Sequence, residues 1–194
     1  MERSTNAKRK KGEPPLIPRA GINQTTFRIL LTGPGDVIPV LARHMKKCFN
    51  EKHKITNLKI HHAVSLTEEI ALKLSSTGLH AAVLCIDPSN LMTKSHVREN
   101  LRYLDYNIIS TSMYVLNLVH PLPVIHQTVA DTVTKLSITY NTHVIHIHYE
   151  DEESVKFGLD RVCTVALRGA KFIYGNEPPF FNSIDFSELK NLIY

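Results

Sequence analysis

Near the middle of the chain, Ala81-Ala82-Val83-Leu84-Cys85-Ile86 runs through six apolar residues without a polar break. A strand with no alternation cannot turn either face to water, so this run reads as a central strand of a parallel sheet covered on both sides. Asp87-Pro88-Ser89-Asn90 then ends it as a turn.

On either side, apolar strands alternate with segments of helical period. Residues 27–32 read as a strand, Gly33-Pro34-Gly35 as a turn, and Asp36 as the cap of a helix with Ile38, Leu41, Ala42, Met45 and Phe49 on one face. Pro39 is tolerable there because first-turn N–H groups have no helical partner. Residues 58–64 are a second strand, and Ser65-Leu66-Thr67-Glu68 has the form of a capping box opening a short helix that Gly78 closes. A third helix turns Val97, Leu101 and Leu104 inward, and residues 113–118 form the next strand. Val129, Val133, Leu136 and Tyr140 mark a fourth helix, residues 144–149 a fifth strand, and Val155, Leu159, Val162, Ala166, Gly169 and Ile173 a last helix that stops at Gly175. This alternation predicts an α/β fold: a doubly wound, mainly parallel sheet of five to six strands with helices on both faces. Ligand sites in such sheets lie beyond the strands' carboxyl ends. Here those ends are residues 33–36, 87–90, 117–120 and 148–151.

The first end has the outline of a mononucleotide site without its chemistry. A phosphate loop needs Gly-x-x-x-x-Gly-Lys-Ser/Thr, so that backbone N–H groups ring the phosphates, the lysine reaches them and the hydroxyl holds magnesium. Gly33 and Gly35 are present, but counting from Gly33 the last three positions are Ile38, Pro39 and Val40. Proline offers no N–H, valine cannot ligate a metal, and Asp36 adds a negative charge. At the third end, the Asn-Lys-x-Asp that reads guanine in GTPases is met by Asn117-Leu118-Val119-His120, which keeps only the asparagine. Asp87 could ligate magnesium, yet Asp-Pro-Ser is equally a turn and helix cap. The expectation is a chain that binds no nucleotide and no other cofactor.

Nor does a catalytic signature emerge. His146 and His148 share one face of a strand, with His143, Glu150 and Asp151 nearby, but no third ligand is fixed by sequence. A hydrogen-bonded, half-buried pair without metal is expected. There is no Gly-x-Ser-x-Gly, Cys-x-x-Cys or His-Glu-x-x-His. Cys85 and Cys163 fall on apolar faces and read as inert core thiols. The chain is therefore not expected to be an enzyme.

Its 194 residues, 43% hydrophobic and 21% charged, suit one globular domain with tails. No apolar run approaches the roughly 18 residues of a membrane span, and no signal peptide is evident. Three widely spaced cysteines favour free thiols in a reducing compartment. Of the net charge of +5, residues 1–19 supply four, with six basic residues against two acidic ones. Lys8-Arg9-Lys10-Lys11, followed by Pro14-Pro15, reads as a disordered basic arm over residues 1–25, serving nuclear import or a nonspecific nucleic-acid contact.

With the GTPase signatures erased, the order of elements resembles the centromere protein M family. The matching stretches are Ile29-Leu30-Leu31-Thr32-Gly33, Leu58-Lys59-Ile60-His61 and Val64-Ser65-Leu66. Further matches are the block from Ala81 to Asp105, which ends Glu99-Asn100-Leu101-Arg102-Tyr103-Leu104-Asp105, and the block from Val133 to Tyr140. The resemblance covers roughly residues 27–176. It implies a small-GTPase-like domain, residues 26–176, that has lost nucleotide binding. It also implies a nuclear, centromeric location and a structural role at the inner kinetochore beside centromere proteins I, H and K, with centromere protein I a helical-repeat partner. The basic arm and the segment after Gly175 depart from the family's pattern.

Apolar residues that the sheet does not need are the expected partner surface. Ile108 and Ile109 fall between the third helix and the fourth strand. In residues 177–194, Phe180, Phe181, Phe186 and Leu189 follow Pro178-Pro179, either folded back or projecting. Two other classes stay open: an active GTPase or ATPase with an atypical phosphate loop, and a nucleic-acid-binding module using the arm.

Overall fold

A computed structural model describes residues 14–21, 25–120 and 126–170. Its strands are β1 (Phe27–Thr32), β2 (Leu58–Ala63), β3 (Ala81–Ile86), β4 (Met113–Val119) and β5 (His143–His148). All pair in parallel in one sheet, in the order β2-β1-β3-β4-β5. The helices are α1 (Ile38–Glu51), α2 (Glu68–Ser75), α3 (Met92–Tyr103), α4 (Tyr106–Thr111), α5 (Gln127–Tyr140) and α6 (Glu152–Ala170). This is the doubly wound α/β fold expected from the alternation.

Successive side chains of a strand point to opposite faces, and the core divides accordingly. Phe27, Ile29 and Leu31 of β1, with Ala81, Val83 and Cys85 of β3, pack under α1 and α6. Leu30, Ala82, Leu84 and Ile86 face the other way, against α2, α3, α4 and α5. All six residues of β3 are buried. Its position in the middle of the sheet explains why its sequence shows no polar alternation. On α1 the inward face is Ile38, Leu41, Met45 and Phe49, with Ala42 at its border.

Three local readings need correction. Asp36 does not cap α1: the N-cap is Val37, without a side-chain cap bond. The entry is closed instead by the backbone, as Ile38 N donates to Pro34 O at 3.0 Å. Helix α2 starts two residues later than the capping box implied. Thr67 is its N-cap, accepting from Ile70 N at 3.3 Å, while the Ser65 hydroxyl is turned toward Asn100. Ile108 and Ile109 are not a free surface. They lie on α4, capped by Asp105, and at 0% and 9% exposure they belong to the protein's own core.

The arm also ends earlier than residue 25. Residues 14–21 lie across the domain as a strap, with Ile17 fully buried. Ile17 N donates to Tyr103 O at 2.7 Å and Asp105 N to Ile17 O at 3.0 Å, while Ala20 N donates to Leu79 O at 2.7 Å. Arg19, counted with the arm's charge, donates to Thr111 Oγ1 at 3.1 Å and to the Gly169 carbonyl at 2.6 Å. A cation on a terminal carbonyl of α6 offsets the negative end of the helix dipole. Lys8, Arg9, Lys10 and Lys11 lie outside the described residues, as do Phe180, Phe181, Phe186 and Leu189.

His80 fastens β3 to β1. Its N–H donates to Arg28 O at 2.8 Å, and its Nδ1 accepts from Arg28 N at 3.0 Å. Nδ1 must therefore stay unprotonated. Burial first, then the charges of Arg28 and Arg19, lowers the imidazole pKa from 6.5 to about 4. A folded pKa below the unfolded one gives stability that is complete above pH 6.5 and is lost as pH falls through about 4. Urea denaturation should show His80 contributing about 3 kcal/mol of acid destabilisation across that window. A His80→Gln variant should lack that share of the slope.

Candidate functional site

The order of the strands reverses between β1 and β3, the place where doubly wound sheets bind ligands. A cleft of about 130 Å³ opens there, lined by Thr32, Gly33, Pro34, Gly35 and Asp36 on one side. Cys85, Asn90, Thr93, His96 and Asn100 lie across from them, with Val64 at the rim. Among the described residues, the lining carries one carboxylate and no lysine or arginine.

Three amides of this stretch are engaged. Gly33 N donates to Ala63 O at 3.3 Å, Ile38 N to Pro34 O at 3.0 Å and Val40 N to Val37 O at 3.1 Å. Pro34 and Pro39 have no N–H. A phosphate loop works by leaving such groups converging on an empty centre, and here the amides of Gly33, Ile38 and Val40 are bonded to backbone instead. Gly33 has a different task. With φ at +152°, an added Cβ would stand 2.5 Å from Cys85 Cβ and 2.7 Å from Cys85 O. The glycine lets the chain cross the end of β3 in contact with it.

Asn100 forms the floor. It sits on the inward face of α3 at 2% exposure, donating from Nδ2 to Thr32 Oγ1 at 2.9 Å. Its Oδ1 accepts from Leu66 N at 2.7 Å and stands 3.5 Å from Ser65 Oγ. One amide thus ties α3 to the ends of β1 and β2. Asparagine in an apolar helical register was the available signal, and reading only Val97, Leu101 and Leu104 passed over it.

At the end of β3, Asp87 Oδ1 accepts from Ser89 N at 2.8 Å and from Ser89 Oγ at 2.6 Å, and lies 2.9 Å from His120 Nε2. Serine, histidine and aspartate are together, but not as a catalytic relay. A triad needs the histidine between the other two, one ring nitrogen to each. Here the carboxylate takes the serine hydroxyl directly and meets the same ring nitrogen that approaches the serine at 3.5 Å. The arrangement is a turn clip, and His120 also packs edge-on against Tyr149, with centroids 4.9 Å apart.

Asn117 and His146 are paired in register, with Nδ2 and Nδ1 at 3.0 Å. Asn117 and Leu118 lie within β4, so the remnant of the base-reading motif belongs to the sheet. His143, His146 and His148 are exposed.

A separate group of polar side chains lies where α1 ends against α6. Cys48 Sγ is 3.5 Å from Asp160 Oδ1, Lys52 Nζ is 2.8 Å from Asp160 Oδ2, and His53 Nε2 is 3.9 Å from Asp160 Oδ1. A hydrogen bond with the Cys163 thiol, assisted by His53, draws the Cys48 pKa down to about 6 against the opposing effect of burial. Burial and the Cys48 neighbour push Cys163 well up. Cys163 therefore keeps its proton, as expected of an inert thiol. Cys48 is half-buried, and no local motif announced the group because Asp160 and Cys163 lie on a helix more than a hundred residues away.

No protein-family model matches the chain, and no curated protein matches it.

Gly33→Ala should lower stability by about 1–3 kcal/mol through overpacking and backbone strain. Asn100→Leu should cost a similar amount, about 1–3 kcal/mol, by stranding the Leu66 amide and the Thr32 hydroxyl. Both are read from the urea midpoint at constant m. A Gly33→Ala protein as stable as wild type would mean the loop does not depend on contact with β3.

Proposed function

We propose that this protein is a noncatalytic scaffold, a pseudo-GTPase subunit of the inner kinetochore. In this role it holds together an assembly with centromere proteins I, H and K in the nucleus. The observation that carries the noncatalytic part is the make-up of the first loop and its cleft. The amides of Gly33, Ile38 and Val40 are bonded to backbone, Pro34 and Pro39 have none to offer, and the cleft presents the Asp36 carboxylate where phosphate would need a cation. The kinetochore setting rests on the sequence resemblance alone.

A scaffold offers surface in place of a pocket, and the strand ends provide some. Val64 at the cleft rim is exposed, and Leu91 and Met92, each 59% exposed, follow directly on Asn90 in the cleft wall. Val64 follows β2 two residues before Leu66, whose amide Asn100 holds, and Met92 opens α3 with its amide donating to Asn90 Oδ1 at 2.9 Å. A rigid apolar rim loses little conformational entropy on binding and suits a helical partner.

Adding GTP or ATP with magnesium should leave the melting temperature unchanged, since an occupied site at a hundred times Kd would add about 2.7 kcal/mol. Replacing both Leu91 and Met92 with Glu should weaken capture of the centromere protein I assembly by about tenfold or more, the scale of an interface anchor. The melt should stay put, because both side chains are outside the core. A nucleotide-dependent melt would favour the enzyme alternative, and unchanged capture would move the interface elsewhere.

A further inference from the structure

The polar group between α1 and α6 has the composition and spacing of a metal site. Cys48 ends the exposed edge of α1's inner face, and His53 follows that helix in a turn built to return it. Lys54 takes the left-handed conformation (φ 55°), and Ile55 N donates back to Phe49 O at 3.0 Å. That turn leaves the His53 ring beside Phe49, centroids 6.1 Å apart, with Nε2 buried and without a hydrogen-bond partner. Asp160 reaches in from α6. One ligand atom from each of Cys48, His53 and Asp160 lies within 4.8 Å of the other two.

We propose that Cys48, His53 and Asp160 bind one zinc-class divalent cation, with water in the fourth position.

The distances support this. With zinc bonds of about 2.3 Å to sulfur and 2.0–2.1 Å to nitrogen and oxygen, tetrahedral ligands stand about 3.5 Å apart for sulfur and oxygen and about 3.3 Å for nitrogen and oxygen. The sulfur and carboxylate oxygen are already 3.5 Å apart, the imidazole nitrogen stands 3.9 Å from that oxygen, and all three atoms lie within 4.8 Å of one another, so the nitrogen has to close on both partners. A thiolate and a carboxylate neutralise a divalent charge, and sulfur with imidazole selects zinc over magnesium or calcium. Lys52 binds the other carboxylate oxygen at 2.8 Å, leaving Oδ1 turned toward the sulfur and the imidazole. An outer partner that orients a ligand in this way is a regular part of metal sites. Lys52 is itself 56% exposed, so water screens its charge from the cation.

The site is not at the ligand-binding ends of the strands. Phe49, one residue from Cys48, packs at a tilt against Phe27 at the start of β1, with centroids 5.4 Å apart. A cation there would join α1 to α6 at the strands' amino ends, as a structural clamp.

The test uses the full chain, reduced and stripped of metal. Zinc is titrated in competition with a chromophoric chelator, and cobalt(II) serves as the spectroscopic probe. One equivalent of zinc should bind, and cobalt should give tetrahedral d–d bands with a thiolate-to-cobalt charge-transfer band. Cys48→Ser should abolish that band. His53→Gln and Asp160→Asn should keep it while weakening zinc by about tenfold or more, at least the loss seen when even an outer-shell partner is removed. Circular-dichroism melts of the metal-free variants confirm that each is folded. Wild-type chain that takes up no stoichiometric zinc, or a cobalt spectrum that is octahedral and lacks the sulfur band, overturns the proposal. So does a folded Cys48→Ser protein that binds zinc as tightly as wild type.

Discussion

Burial of β3 on both faces is the constraint from which the remaining architecture follows. Its side chains alternate between two clusters, one under α1 and α6 and the other under the remaining helices. A strand with no solvent-facing side requires two helical layers, and a parallel sheet requires crossovers long enough to supply them. The same burial dictates the loop after β1. That loop passes over the end of β3 so closely that only glycine fits beside Cys85. At the same place the amides of Gly33, Ile38 and Val40 are bonded to backbone in turns and strand pairing.

Polar residues around that end act as fasteners. Asn100 joins two strand ends to α3, Asp87 holds its own turn through Ser89, and His120 links that turn to the end of β4. Each partner is satisfied within the protein, as buried polar groups must be if they are not to destabilise the fold. Asp87, Ser89 and His120 are bonded to one another where β3 ends, with the carboxylate at the centre of the group.

The parts of the fold legible in the sequence are those with enough repeats to show a period. The apolar run of β3 and the spacing of Ile38, Leu41, Met45 and Phe49 each give several matched positions. Helix α4 has only six residues, so Ile108 and Ile109 showed no period and looked like surplus apolar surface. The strap containing Ile17 was hidden by its basic and proline-rich neighbourhood, where one buried isoleucine carries little weight against composition. The departures from a phosphate-loop pattern at Ile38, Pro39 and Val40 were legible because they are contiguous. Cys48, His53 and Asp160 were not, because their proximity depends on how α6 returns to pack beside α1, and periodicity says nothing of that.

The two ends of the sheet are held differently. At the carboxyl end, Asn100 joins β1 and the segment after β2 to α3, beside the exposed side chains of Val64, Leu91 and Met92. At the amino end, α1 and α6 meet through a small polar group in which His53 has no hydrogen-bonding partner for Nε2. Buried nitrogen without a partner costs stability, of order 1–3 kcal/mol, and the turn through Lys54 adds the further cost of a left-handed residue with a side chain. Both costs fall on the residues that aim His53 at Asp160. Filling that nitrogen with a metal removes the first and gives the second a purpose, whereas a helix pair held by packing alone would need neither.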